Sequence, residues 1–282
     1  MKIAEIKRKP EWVLKKIDFK QMTPTAKALE GLNLRTVCHQ ARCPNISECF
    51  GRKTATFLIL GDKCTRACAF CNVTKAKPTT LDTTEPDRLL EAVKRLNLNY
   101  VVITSVTRDD LADGGAEVFV QIINKIKKYD KQIKVEVLVP DFKGKVSAIA
   151  AVTAAGPHIF AHNLETVKTL YAIRKGANYE RSLAVLKAAK KAGAKLTKSG
   201  IMLGLGETKN QVKKVFADLR KVNCDYLSIG QYLRPTENNQ PVVEYLKPEA
   251  FEEYKVLALE TGFTHVESGV FVRSSYHAED YK

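Results

Sequence analysis

The sequence predicts an α/β fold in which parallel strands alternate with helices, and three observations carry that prediction. From residue 55 onward, short apolar runs alternate with amphipathic stretches. Within those stretches the apolar residues recur with the helical period of 3.6. The chain has 282 residues, 45% of them hydrophobic, enough for one barrel-type domain or two smaller ones. Repeated strand–helix alternation implies parallel strands joined by right-handed crossovers. Six units fall short of the eight of a full (β/α)8 barrel, leaving an incomplete barrel or an open doubly wound sheet. In either case the site belongs at the carboxyl ends of the strands.

Taken in order, residues 1–54 show little periodicity but hold three cysteines, and read as an irregular extension ordered by a metal. Met1 to Lys9 is short and basic, without the apolar segment of a signal peptide. No run of 18 apolar residues exists, so no membrane span is expected. Seven cysteines without a secretory signal read as reduced thiols in a cytoplasm, where clustering suggests metal or redox chemistry. The strand candidates are Ala55–Leu60, Tyr100–Thr104, Lys134–Val139, His158–His162, Leu196–Leu203 and Asp225–Ile229. A helix starts near Thr84 with Pro86 in its first turn and buries Leu89, Leu90, Val93 and Leu96. Phe119, Ile122, Ile123 and Ile126 mark another, and Val212, Val215, Phe216 and Leu219 a third.

The loop after the first strand candidate carries Cys64, Cys68 and Cys71 at C-x3-C-x2-C spacing. Such spacings let one short loop gather its thiolates around a single metal centre. Four thiolates would close a site; three leave one position open, which is what catalysis requires. Upstream, Cys38, Cys43 and Cys49 stand at C-x4-C-x5-C spacing, again one ligand short. Zinc is the competing reading for either set, with His39 as a fourth ligand for the second. Zinc sites come as Cys/His fours, however, and the adjacency of His39 to Cys38 makes that geometry awkward. Cys224 precedes an apolar strand and reads as a small buried hydrophobe. The net charge of +15 points to an acidic partner, nucleic acid or protein. Its lysines gather around two helix ends (Lys125, Lys127, Lys128, Lys131, Lys134; Lys187, Lys190, Lys191, Lys195, Lys198) and read as solvated faces. With no aromatic-rich basic stripe, a dedicated nucleic-acid patch is not expected.

The Cys64–Cys71 motif resembles that of the radical S-adenosylmethionine (AdoMet) enzymes, with Phe70 matching the aromatic residue placed beside the adenine. Gly200-Ile201-Met202-Leu203-Gly204-Leu205-Gly206-Glu207 is similar to the G-x-I-x-G-x-x-E segment of that superfamily, Met202 standing in the isoleucine place. Both cysteine triads together with Arg273-Ser274-Ser275-Tyr276 resemble the lipoyl synthase family. The resemblance runs over nearly the whole chain. It includes Thr54-Ala55-Thr56-Phe57, Val102-Ile103-Thr104-Ser105-Val106, Arg108-Asp109-Asp110-Leu111, His162-Asn163-Leu164-Glu165-Thr166, Thr197-Lys198-Ser199-Gly200 and Gly230-Gln231-Tyr232-Leu233. His39-Gln40 departs from the two acidic residues usual there, and Gly269-Val270 from Gly-Pro.

The resemblance implies a partial (β/α)6 barrel, residues 55–262, with an N-terminal extension (1–54) and a C-terminal segment (263–282). It implies two [4Fe–4S] clusters. Cys64, Cys68 and Cys71 would hold the one that AdoMet chelates. Cys38, Cys43, Cys49 and Ser275 would hold an auxiliary cluster consumed as sulfur source. Thr104 and Ser105 would meet the AdoMet amino group, Asn163 and Glu165 its ribose or methionine moiety, and Arg174 its carboxylate. The implied reaction inserts two sulfur atoms, at C6 and C8, into an octanoyl chain on a lipoyl-carrier domain or the glycine-cleavage H protein. Those carbons have no acidic proton and no leaving group, so radical chemistry is the route open to them. An electron donor of the flavodoxin or ferredoxin type and an iron–sulfur carrier protein complete the implied partners. The alternatives are a biotin-synthase-like sulfur inserter and a zinc-stabilised, basic nucleic-acid-binding protein.

Overall fold

The computed structural model describes residues 8–52 and 54–278. The start of the basic N-terminal stretch and the end of the expected C-terminal segment lie outside the described residues. In chain order the elements are α1 (Phe19–Leu29), β1 (Arg35–Thr36), α2 (Val37–Gln40), α3 (Ile46–Gly51) and β2 (Thr56–Ile59). A short ribbon of β3 (Lys63–Cys64) and β4 (Thr74–Lys75) brackets the cysteine loop. Then come α4 (Glu85–Leu96), β5 (Tyr100–Ser105), α5 (Ala116–Tyr129), β6 (Lys134–Leu138), α6 (Val146–Ala154) and β7 (Ile159–Ala161). The chain continues with α7 (Tyr179–Lys191), β8 (Leu196–Leu203), α8 (Lys209–Lys221), β9 (Tyr226–Gln231), α9 (Pro248–Glu260) and β10 (His265–Gly269).

The main sheet has the order β1-β2-β5-β6-β7-β8-β9-β10. All its pairings are parallel except that of β1 with β2. From β2 on, spatial order follows chain order with no reversal. A doubly wound sheet reverses at its switch point, so this is the incomplete barrel. All six strand candidates are strands. The sheet adds a seventh parallel strand, β10, from the stretch assigned to the C-terminal segment, and β1 at the other edge. The extension expected to be irregular carries three helices, with α1 packed on α3 and on α4. Its signal was weak because α1 is mostly exposed and contains Pro24.

Strand side chains alternate between two faces. On β5, Val101 and Ile103 join the helix-side core, which also takes in Phe119, Ile122, Ile123 and Ile126 of α5. Tyr100 and Val102 face the other way, into the barrel interior with Ile159, Ala161, Tyr226 and Ala278. Full burial of each such α5 side chain contributes about 1.5–3 kcal/mol. The interior also holds Lys198, 1% exposed, with its Nζ 3.0 Å from Glu136 Oε1. Glu136 Oε2 accepts from the Tyr100 hydroxyl at 2.7 Å. Lys198 was expected on a solvated helix face. It lies on β8 and points inward, because the period there is two and not 3.6.

Candidate functional site

The turn after β2 delivers the cysteine loop to the carboxyl end of the sheet, and five separate segments hold it there. Thr65 donates its backbone N–H (3.1 Å) and its hydroxyl (2.9 Å) to Thr107 O. Ala69 N donates to Ile173 O at 2.7 Å, and Gln240 N to Ala69 O at 2.9 Å. The Asn239 amide donates to Cys71 O at 3.0 Å. Asn72 Nδ2 donates to Gln40 O at 2.8 Å, joining this loop to the upstream triad. Arg66 reaches Asp109 and Asp141.

The thiols themselves accept backbone N–H groups: Arg66 N and Thr107 N each lie 3.4 Å from Cys64 Sγ, and Val73 N lies 3.5 Å from Cys71 Sγ. Burial pushes the Cys71 thiol up to about 11, with Cys68 and Cys64 adding to it. Burial also raises Cys68, opposed by Arg174 and reinforced by Glu165. Cys64, Cys68, Cys71, Glu165 and Arg174 therefore share one electrostatic neighbourhood. Thiols in that state bind metal only by releasing protons, and a bound cation reverses the balance.

Of the other expected AdoMet contacts, Ser105 Oγ is buried at the end of β5 without a hydrogen-bond partner, as are Asn163 Oδ1 and Arg174 Nε. Buried polar atoms left in this state mark places where a ligand can supply the missing bond. Thr104 donates to Leu138 O at 2.8 Å, which leaves only its lone pairs for a ligand. Arg174 is more constrained than expected: its Nη1 donates to Asn163 O (2.9 Å), Leu164 O (3.2 Å) and the Tyr171 hydroxyl (2.5 Å). Glu165 adopts a left-handed φ of 69°, and burial raises its carboxyl. Its carbonyl accepts from Met202 N at 2.8 Å, which ties the two expected contacts together. Phe70 is half-buried within the loop. The three thiols and the three unpaired polar atoms suit a cluster with a polar organic ligand.

The upstream triad is built differently. Cys38 lies in α2, Cys43 in the turn after it and Cys49 in α3. Burial raises Cys38 to about 11, with Cys43 adding to it. The C-terminal residues then arrive as a strap across the barrel interior. The Val272 carbonyl sits where a Cβ on Gly230 would be, so a side chain at Gly230 is not tolerated. A Cβ on Gly200 would come within 2.9 Å of Asn163 Oδ1 and 3.3 Å of Ser274 Oγ. The glycines expected to admit a ligand thus admit the protein's own strap. Ser274 Oγ accepts from Asn163 Nδ2 at 2.5 Å, while Ser275 Oγ accepts from Thr56 Oγ1 at 2.6 Å. The two serines therefore point apart. Tyr276 and His277 bind Glu48, which neighbours Cys49 and also takes Lys15 Nζ at 2.5 Å.

None of the seven cysteines forms a disulfide. Among the described residues no set of three His, Cys, Asp or Glu side chains encloses a single metal ion. His39 is occupied elsewhere, its Nδ1 2.8 Å from Thr36 Oγ1 and its ring edge-on to Phe50. Cys224 is fully buried, and its thiol donates to Tyr226 O at 3.4 Å. No described helix is long and apolar enough to cross a membrane.

Sequence reasoning gave no role to Asp141, Asn239, Thr65, Glu48 or Lys15. Only the fold brings them to the loops; their local sequence carries no signal.

An incomplete parallel barrel with a three-cysteine loop after its first parallel strand defines the radical SAM superfamily, and a family model of that description matches residues 58–230. Methylornithine synthase (PylB) has the same fold at a TM-score of 0.55 and 15% identity, covering 96% of this chain and 86% of that one. The FeFe-hydrogenase maturase HydG from Carboxydothermus hydrogenoformans matches at a TM-score of 0.57 and 12% identity, over 90% of this chain and 65% of that one. Within the superfamily the chain belongs to the lipoyl synthase family. It is 56% identical to the lipoyl synthase of Caldicellulosiruptor saccharolyticus over 276 residues, 97% of each chain. It is 53% identical to that of Geotalea daltonii over 278 residues, 98% of this chain and 95% of the relative.

Proposed function

We propose that this chain is a lipoyl synthase, replacing two C–H bonds of a protein-bound octanoyl group with C–S bonds. One observation carries the reading beyond the superfamily: a strap from the far end of the chain brings Ser275 to Thr56, whose backbone contacts Cys38. Cys38, Cys43, Cys49 and the Ser275 hydroxyl would hold a second cluster, for which AdoMet cleavage alone has no use. Cys64, Cys68 and Cys71 would hold the first cluster, and Ser105, Asn163, Glu165, Arg174 and Met202 would bind AdoMet, beside Phe70 and Thr104. When bound, these groups supply a hydrogen-abstracting radical and the sulfur.

The chain's own residues do three things. The turn-held loop keeps its thiols at the carboxyl ends of the strands. Ser105, Asn163 and Arg174 offer polar atoms that water cannot readily satisfy there. The strap roofs the interior against solvent, which protects a reactive intermediate from side reactions. The carrier would be an acidic lipoyl domain or H protein, steered by the +15 charge. The electron donor would be of the flavodoxin or ferredoxin type, with an iron–sulfur carrier protein as the source of replacement clusters.

The test is incubation of anaerobically reconstituted protein with AdoMet, a reductant and an octanoyl-lysine peptide, read by mass spectrometry. A product carrying two added sulfurs is expected. AdoMet cleavage without any thiolated peptide would instead favour another radical AdoMet activity.

A further inference from the structure

Between Cys64 and Cys68 stands Arg66, a cation embedded in the loop that its neighbours make into a ligand set. Its side chain is only 7% exposed, and its guanidinium is spanned between two carboxylates. Nε and Nη2 form a fork onto Asp109 at 2.7 and 2.9 Å. Nη1 and Nη2 form a second fork onto Asp141 at 2.9 and 2.7 Å. Asp141, 1% exposed, takes a further bond at 2.7 Å from Arg181 of α7. Asp109 follows β5, Asp141 follows β6, and Arg181 belongs to α7. One side chain thus ties the cysteine loop to two other parts of the barrel rim, and Asp141 carries the link on to α7. Gly176 makes room for it: φ is +84°, and a Cβ there would lie 3.2 Å from Arg66 Cδ. The Gly176 carbonyl is in turn held by Arg181 Nη2 at 2.5 Å.

We propose that Arg66 is a positioning residue for the metal centre of its loop, fixing the loop's geometry through the double fork and setting the charge beside the metal. This rests on the reading that the loop binds a cluster. The reason for a double fork is charge as well as shape. Arg66 and Arg181 against Asp109 and Asp141 sum to zero, so the loop is anchored by strong bidentate pairs without a net charge beside the centre. Hydrogen bonding, burial and nearby charge are the means by which a protein sets a cluster's potential. Removing either partner therefore has a sign. Arg66→Gln leaves an excess negative charge, which favours the oxidised cluster and lowers its potential. Asp109→Asn leaves an excess positive charge and raises it. Lysine at position 66 keeps the charge but cannot form two forks.

The experiment uses full-length protein with Arg66→Gln, Arg66→Lys and Asp109→Asn. The reduction potential is read on the cluster whose EPR signal responds to AdoMet, and iron loss to a chelator is timed by bleaching. Opposite shifts are expected for Arg66→Gln and Asp109→Asn, with Arg66→Lys close to the parent in potential. Iron loss should speed up roughly ten- to hundredfold in all three. Hydrogen exchange of amides 64–72 in cluster-free protein is the separate reading of the clamp, and it should quicken in every variant. Unchanged exchange in Arg66→Gln, or potential shifts of the same sign, overturns the proposal. Parent protein without an AdoMet-responsive cluster would overturn the functional reading instead, and the exchange measurement would still decide whether the clamp holds the loop.

Discussion

The two cysteine triads sit side by side, joined by the bond from Asn72 to Gln40, yet they are held on opposite principles. The downstream triad occupies one loop, and the loop is gripped by the rims of the strands around it. Its geometry is local, over-determined and rigid. The upstream triad is spread over two short helices and the turn between them, and the ligand proposed to complete it, Ser275, comes from the other end of the described chain. Its closure depends on Ser275, Tyr276 and His277 staying docked on Thr56 and Glu48. On the proposed division of labour, a centre that survives many turnovers suits the first arrangement, and one that is dismantled and refilled suits the second.

The largest expected effect separates the two by chemistry. Substituting Cys64, Cys68 or Cys71 with alanine should reduce AdoMet cleavage to background, measured as 5′-deoxyadenosine. Substituting Cys38, Cys43 or Cys49 should leave cleavage largely intact and abolish thiolated product. Normal product from Cys38→Ala would erase the division of labour.

Next comes the ligand proposed on the strap. Ser275→Cys should keep the full iron content and AdoMet binding while slowing sulfur transfer at least tenfold, about 1.4 kcal/mol in barrier. A serine oxygen ligand there would be released on protonation; a thiolate would let go less readily. Ser275→Ala should give a more labile cluster. Ser274→Ala should hardly change iron content, because that hydroxyl faces Asn163 and Gly200. Parental rates in Ser275→Cys would reduce the serine to a structural ligand.

The third prediction tests the rigid side by acid. His162 is buried, and burial, with Arg174 adding to it, lowers its pKa to about 4. The unfolded value is higher, so the unfolded chain binds the extra proton first. The stabilisation is complete above about pH 6.5 and is lost as pH falls toward 4, amounting to about 3 kcal/mol over that window. Thermal unfolding across pH 4–7 should show this limb, and His162→Gln should flatten it. An unchanged limb in the variant would assign the acid sensitivity elsewhere.

The smallest effect concerns the strap's latch. Glu48→Gln weakens bonds to Lys15, Tyr276 and His277 that are partly exposed, so it should cost about 1 kcal/mol. Protease cleavage within residues 270–278 should accelerate, while the unfolding temperature of the barrel barely moves. Equal loss in both would mean that strap and barrel are one cooperative unit.

The barrel was legible because its signals are local. Strands such as Leu196–Leu203 and helices such as Ala116–Tyr129 announce themselves in their own periodicity. The cluster loop was legible for the same reason: its three thiols are neighbours in sequence. The seventh strand was not, because His265–Gly269 mixes His, Glu, Ser and Gly with a single buried valine. Nor was the inward face of β8, where Lys198 looked like part of the lysine-rich helix before it. The clamp on Arg66 was beyond local reading altogether, since Asp109 and Asp141 lie 43 and 75 residues away. Ser275 was singled out only through resemblance, as no periodicity marks a strap whose contacts are with residues distant in sequence, such as Thr56 and Asn163.

The strap also has a consequence for how the molecule comes into being. A growing chain folds from its N-terminal end, and every residue that grips the Cys64–Cys71 loop has been synthesised once Gln240 has emerged. Residues 272–278, which carry Ser275 to Thr56, are made later, after the last strand, and must enter a barrel that is already built. On the ribosome, then, the upstream triad stays uncovered until residues 272–278 have emerged.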